Sequence, residues 1–264
     1  MLSSVYQGLA RRLKGLKDPF RRSSSDSETR NRYHTGGSSP SAPSPIHPRR
    51  PSPPLPGSRG EHFLQKEYGT EKRALAFYNN QMLDHLNQTM MDFIAEQEMA
   101  FIATADGNGE CDNSFRAGPP GFVRILDEYH LAYPEYRGNG VMASLGNILE
   151  NPHIGILFVD FFRTAVGLHV NGKAKIVENQ ELLSQPDLPK AIRSDILTED
   201  GKKPERWVLV QVEEAYIHCS KHIPLLKKLD KDIDWGTDDI QKKGGDYFRA
   251  KNEPRPWDPV PSGK

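Results

Sequence analysis

Only two cysteines occur in 264 residues, Cys111 and Cys219. Their spacing builds neither a disulfide framework nor a zinc site, and so few thiols suit a reducing compartment. Long apolar runs are missing too. No stretch approaches the ~20 residues of a membrane-spanning helix, and none has the form of a secretory signal. A soluble protein of cytoplasmic location is expected. Net charge is also absent, since 35 Lys and Arg balance 35 Asp and Glu, and no nucleic-acid partner is expected. No Ser-His-Asp set, HExxH motif or paired-carboxylate arrangement stands out. No catalytic side chain is therefore assigned, which fits a reaction whose chemistry belongs to a cofactor. No internal repeat is visible.

What is present is unevenly spread. Apolar residues make up 36% of the chain, low for a protein globular throughout, and the deficit sits at the start. Residues 1–60 hold eleven Arg and Lys against Asp18, Asp26 and Glu28, a balance of +8, so the remainder carries −8. Leu2, Val5, Tyr6, Leu9, Leu13 and Leu16 recur at helical spacing among Arg11, Arg12, Lys14 and Lys17. Such a basic amphipathic stretch suits weak contact of residues 1–22 with a membrane surface, or organelle targeting. The following SSPSAPSP and RRPSPPLPGS strings read as linker. The chain thus divides into a disordered basic tail over 1–60, a helical lead-in over 61–98, a folded domain over 99–229 and a loosely ordered tail over 230–264.

Within the lead-in, Leu75, Tyr78, Met82, Leu86, Met90, Phe93 and Ile94 recur at three- and four-residue steps from residue 71 onward, with a break at Asn79-Asn80 or Asn87. Strand grammar then takes over. Residues 99–105 form an apolar run, and Asp106-Gly107-Asn108-Gly109 is a strong hairpin turn into 110–116. Further strands are read at 122–126, 129–133, 154–161, 166–177 and 207–219, with a bulge at Asn171-Gly172. Val208, Val210 and Val212 alternate strictly in the last of these. Helices are expected at 141–150, near 189–197 and at 222–229. The fold class is mainly β: an antiparallel sheet closing into a barrel, with flanking helices.

The densest set of groups able to grip an anion lies in the same stretch. Arg137 abuts the turn Gly138-Asn139-Gly140, which follows a strand and opens the helix at 141. Helix N-termini offer unpaired N–H groups and a positive dipole end. Arg116 stands on a strand expected to face that turn, and guanidinium suits phosphate. Arg124 has the same chemistry or pairs with Asp127 or Glu128. The glycine spacing does not make a dinucleotide fingerprint. The closing His218-Cys219-Ser220-Lys221-His222 offers histidines to a metal or a haem without a matching pair elsewhere, and Lys221 alternatively neutralises a phosphate.

Several segments carry a resemblance: ATADGNGECDNSFRAG, GPPGFVRI, YPEYRGNG, SLGNILENPHIGILFVDF, HVNGKAKI and YIHCSKHI. Over roughly 90–222 the chain resembles the pyridoxamine 5′-phosphate oxidase-like FMN-binding split barrels, and most of all the subgroup related to the oxidase rather than the vitamin B6 oxidase itself. The resemblance implies a six-stranded antiparallel split barrel and a homodimer with FMN in two interface clefts. It also implies a flavin-mediated oxidoreductase acting on a small molecule. The family's second-strand Arg falls at Ser114, with Arg116 two residues on. Its Tyr-Thr pair falls at Tyr133-Pro134. Its Arg-Lys pair falls near Ala143-Ser144, where the charge is lost unless Arg137 supplies it. The implied cofactor contacts are Ser114, Arg116, Tyr133, Arg137, Asn139, Ser144, Asn147 and Lys221. The C-terminal PRPWDPVPSGK does not match the oxidases' ending, which argues against B6 oxidation itself. The alternatives are a deazaflavin-dependent reductase, or a non-enzymatic haem-handling barrel using His169, His218 or His222.

Overall fold

The computed structural model of the chain describes residues 55–257 other than 199–202, 231, 232, 235, 236 and 238. The amphipathic stretch 1–17, the proposed surface contact of 1–22, most of the linker and Pro259 and Pro261 lie outside the described residues. What is described falls into two units, one ending at Met82 and the other beginning at Leu83.

The first unit holds helices α1 (Arg59–Glu67) and α2 (Glu71–Gln81). Helix α1 starts inside the segment read as tail, and the reason is local. Ser58 Oγ accepts from the Glu61 N–H at 3.1 Å, and Glu61 Oε1 accepts from the Ser58 N–H at 3.0 Å. That reciprocal capping box satisfies two N-terminal donors at once. Gln65 Nε2 donates to the Tyr78 hydroxyl and ties the two helices together. Neither helix buries a residue.

The second unit opens with α3 (Gln88–Ala95), capped by Asn87, whose side chain accepts from the Met90 N–H at 2.9 Å. The helical pattern over 71–98 is thus two helices, divided at Asn87 as one of the two expected breaks. Leaving aside the two-residue strand Met82–Leu83 at the boundary of the units, seven strands follow. They are β1 (Met99–Ala105), β2 (Cys111–Ala117), β3 (Arg124–Asp127), β4 (His130–Glu135), β5 (His153–Val159), β6 (Gly167–Glu178) and β7 (Arg206–His218). Their order is β2-β1-β5-β6-β7-β4-β3, and every neighbouring pair is antiparallel. The path has seven strands where six were expected. The architecture is otherwise the mainly β barrel with flanking helices that the sequence implies. Helix α4 (Ala143–Glu150) enters between β4 and β5, and α5 (Asn179–Leu183) and α6 (Lys190–Leu197) between β6 and β7.

Period-two alternation places the core. Val208, Val210 and Val212 of β7 are buried, as are Ile102 of β1, Ile156 and Phe158 of β5, and Val170 of β6. Each fully buried side chain of this size contributes about 1.5–3 kcal/mol of hydrophobic stabilisation. The register of β6 on β7 slips between Asn171 and Gly172, the expected bulge. A Cβ at Gly172 would lie 1.9 Å from the Gln211 carbonyl oxygen, so only glycine fits this approach. The helix expected at 222–229 is absent. A short 3₁₀ turn at Ser220–His222 ends in irregular chain, because the Leu226 N–H is drawn to the Phe161 carbonyl at 2.6 Å and Lys228 to Glu98. Arg124 does not pair with Asp127 or Glu128. Tertiary packing brings it Asp195 of α6, with the Nη2–Oδ2 distance at 2.6 Å. Among the described residues, no helix is long and apolar enough to cross a membrane.

Candidate functional site

Strand β4 delivers the chain to the site. Its last residue, Glu135, is followed by Tyr136-Arg137-Gly138-Asn139-Gly140, which turns into α4. The Asn139 side chain accepts from the Val141 N–H at 3.0 Å, and Gly140 takes φ +84°, a conformation that favours glycine. Met142 then adopts the left-handed region at φ +57° and gives α4 no side-chain cap. Its first-turn N–H groups are left to whatever the adjoining strand presents.

That strand is β2. Alternation puts Asp112, Ser114 and Arg116 on the face towards α4. Asp112 Oδ2 accepts from Ser144 Oγ at 2.8 Å, and the hydroxyls of Ser114 and Ser144 lie 2.9 Å apart. Ser144 is the second residue of α4, so Asp112 is the anion at the positive end of that helix. Two residues on, Arg116 reaches across to β4, where its Nε and Nη2 sit 2.9 and 2.8 Å from Glu135 Oε1. Burial raises the Glu135 carboxyl above its ordinary range, and the charge and hydrogen bond of Arg116 oppose that rise.

These elements border a cleft of about 1000 Å³, of a size to take a cofactor. Ser114, Arg116, Arg137, Asn139 and Ser144 all line it, so five of the eight expected contacts are brought together. Arg206, at the start of β7, adds a third guanidinium. The other three expected contacts lie elsewhere. Tyr133 is turned into the core at 1% exposure, and its hydroxyl has no hydrogen-bond partner. Burial, and then the charge of Glu135, drives the Tyr133 hydroxyl far up in pKa. Asn147 Nδ2 donates to Thr104 Oγ1 at 3.1 Å and fastens α4 to β1. Lys221 is exposed on the 3₁₀ turn, away from the cleft lining.

The chemistry of the donor set suits an oxyanion and a polyol: hydroxyls from Ser114 and Ser144, guanidinium groups, and the helix head. Two carboxylates share that space, and Asp112 and Glu135 each hold one of the donors. Neither was singled out in the sequence. The signal for Glu135 was available, since alternation from Tyr133 puts it on the same strand face. Among the described residues, no cluster of three or more His, Cys, Asp or Glu side chains is arranged to hold a metal ion.

A sequence profile of the family described as pyridoxamine 5′-phosphate oxidase matches residues 86–219, from the residue before Asn87 to the end of the barrel. No curated protein matches the chain. Among solved structures, the chain is similar to HupZ of Group A Streptococcus, with 23% identity and a TM-score of 0.37 over 50% of this chain and 93% of that one. It is similar to a putative pyridoxamine 5′-phosphate oxidase of Lactobacillus delbrueckii, with 19% identity and a TM-score of 0.37 over 52% and 98% of the two chains. An F420 reductase shows 16% identity and a TM-score of 0.33 over 50% and 98%. With the profile spanning half of the sequence and all seven strands of the barrel, the chain belongs to the pyridoxamine 5′-phosphate oxidase family.

Proposed function

We propose that this protein is an FMN-dependent oxidoreductase that holds its flavin in the cleft at the head of α4 and acts on a small molecule. The observation that carries the reading is the convergence of Ser114, Arg116, Arg137, Asn139 and Ser144 on one cleft in a member of this family. When bound, FMN supplies hydride or electron transfer at its ring system. The chain's own residues bind and orient. Arg137 and the first-turn N–H groups of α4 take the phosphate, and the Ser114 and Ser144 hydroxyls take the ribityl chain. Arg116, held by Glu135, sets the charge of the wall between them. The free, exposed thiols of Cys111 and Cys219 suit a reducing, cytoplasmic setting.

The same reading has two copies working together. Phe101 and Phe115 are cross-strand partners on the outer face of β1 and β2, with ring centroids 5.6 Å apart. Phe115 is 55% exposed and also lines the cleft, so a second copy seated on this pair would wall the site.

The test is an absorption spectrum of the purified protein before and after FMN is added. Flavin bands that stay with the protein through gel filtration, with affinity about tenfold lower in Arg137→Ala, are the expected result. A colourless protein that ignores FMN overturns the reading, and titrations with deazaflavin and haem then decide between the two alternatives.

A further inference from the structure

On the outer face of the barrel, far along the sheet from β2, two imidazoles meet. His169 of β6 and His218 of β7 are diagonal neighbours: the register pairs His169 with Tyr216 and Gly167 with His218. His169 Nε2 and His218 Nδ1 are 2.9 Å apart. We propose that these two nitrogens form a binding site for copper(II), with water completing the coordination.

The distance is the first argument. Two imidazole nitrogens bound to one metal at ~2.0–2.1 Å and at a right angle lie ~2.9 Å apart, whereas a tetrahedral angle spreads them to ~3.3 Å. The observed spacing is that of the hydrogen bond the two rings make with each other, and it is also the spacing of adjacent positions on a tetragonal ion. Copper(II), which prefers imidazole nitrogen, can therefore replace that bond without moving the strands. Binding breaks the hydrogen bond between the two rings, and the metal sits to one side of the N···N line with both lone pairs turned towards it. The ring that loses the bridging hydrogen regains a proton at its other nitrogen from water, so both ligands stay neutral. Both residues are half-buried, so solvent reaches the remaining coordination positions.

The surroundings hold the rings in place. His169 stacks on Tyr216, with centroids 4.7 Å apart and 20° between planes. The Tyr216 hydroxyl accepts in turn from Asn171 Nδ2 at 3.4 Å. Opposite His218 stands Gly167, where a Cβ would lie 2.8 Å from the His218 Cβ and 3.1 Å from the Phe158 carbonyl oxygen. The glycine leaves the space across which the His218 side chain leans towards His169. Ligands on two adjacent, hydrogen-bonded strands, with a stacked ring and a cleared neighbour, amount to a preorganised pair.

The experiment is a calorimetric titration of the full, tag-free chain with copper(II) chloride in a non-coordinating buffer, with the metal's visible absorption followed in parallel. One tight equivalent per chain is expected. It should weaken by at least about tenfold in His169→Gln and in His218→Gln, and measurably in Gly167→Ala, which keeps both ligands but crowds one. The variant His222→Ala, on the exposed 3₁₀ turn, should bind as the parent does. Melting curves of each variant confirm that it is folded. No tight equivalent, binding that survives both histidine changes, or binding lost only in His222→Ala overturns the proposal.

Discussion

Arg116 places both Nε and Nη2 on a single oxygen of Glu135, at 2.9 and 2.8 Å, and so ties β2 to β4 across the cleft. The two strands sit near opposite ends of the sheet path, so this one pair joins what the ladder leaves apart. It also neutralises a guanidinium that lines the cleft.

Breaking that pair has a cost. Arg116→Ala leaves a carboxylate of 8% exposure without its partner and should lower stability by about 2–3 kcal/mol near neutral pH, read by urea unfolding. Glu135 also gives stability a pH slope. Its folded carboxyl titrates above the ordinary value of 4.5, so the folded chain holds this proton more tightly than the unfolded one. Its contribution is complete below that value and is lost as pH rises through the folded pKa. Glu135→Gln should remove that part of the decline. A slope identical in the two proteins would contradict the assignment.

Asp160 should behave in the opposite sense. Its carboxylate accepts from the N–H groups of Phe162, Arg163 and Thr164 and from the Thr164 hydroxyl, at 2.9–3.1 Å. Burial pushes its pKa up, but these hydrogen bonds outweigh burial and hold it below the ordinary 3.8. Its contribution is present above that value and disappears as pH falls through the lower folded pKa. Asp160→Ala should cost about 2–3 kcal/mol at neutral pH, and the gap to the parent should narrow in acid. Melting curves at neutral and strongly acidic pH check both parts.

Two glycines of neighbouring strands should differ sharply. At Gly172 an added Cβ meets the Gln211 carbonyl oxygen at 1.9 Å, so Gly172→Ala must break the bulge and should cost more than ~3 kcal/mol or prevent folding. At Gly155 the nearest atom is the movable Asn171 Oδ1 at 3.3 Å, and Gly155→Ala should stay within about 1 kcal/mol. Soluble yield and chemical denaturation of the two variants give the comparison.

The outer aromatic pair bears on assembly. Sedimentation of the parent should show a dimer, and Phe115→Asp, which puts a charge on the exposed ring position, should shift it to monomer with the fold intact. A monomeric parent, or a variant still dimeric, would remove the paired arrangement from the functional reading.

Local patterns made much of the barrel legible. Residues 99–105 are the strand β1 as read, and the Asp106–Gly109 turn connects it to β2. The Asn171-Gly172 bulge and the helix near 189–197 fall where glycine chemistry and apolar period place them. Helix α1, which begins two residues ahead of the expected helical lead-in, is also local, since its Ser58-x-x-Glu61 box lies in plain view within a basic, proline-rich setting. The expected 222–229 helix failed for the converse reason. Its apolar period was real, but contacts to Phe161 and Glu98, far away in sequence, hold the chain out of helical form.

The site divides along the same line. Sequence alone determined which groups gather at the turn into α4, because the 137–144 segment and the alternation of Ser114 with Arg116 are local properties of the chain. Only tertiary structure decided what those groups face in turn. Arg116 meets Glu135 nineteen residues on, Ser144 meets Asp112, Arg124 meets Asp195, and His169 meets His218. Composition and period carry no information on such pairs, because each forms only when a particular register, bulge and strand order bring distant residues within hydrogen-bond reach.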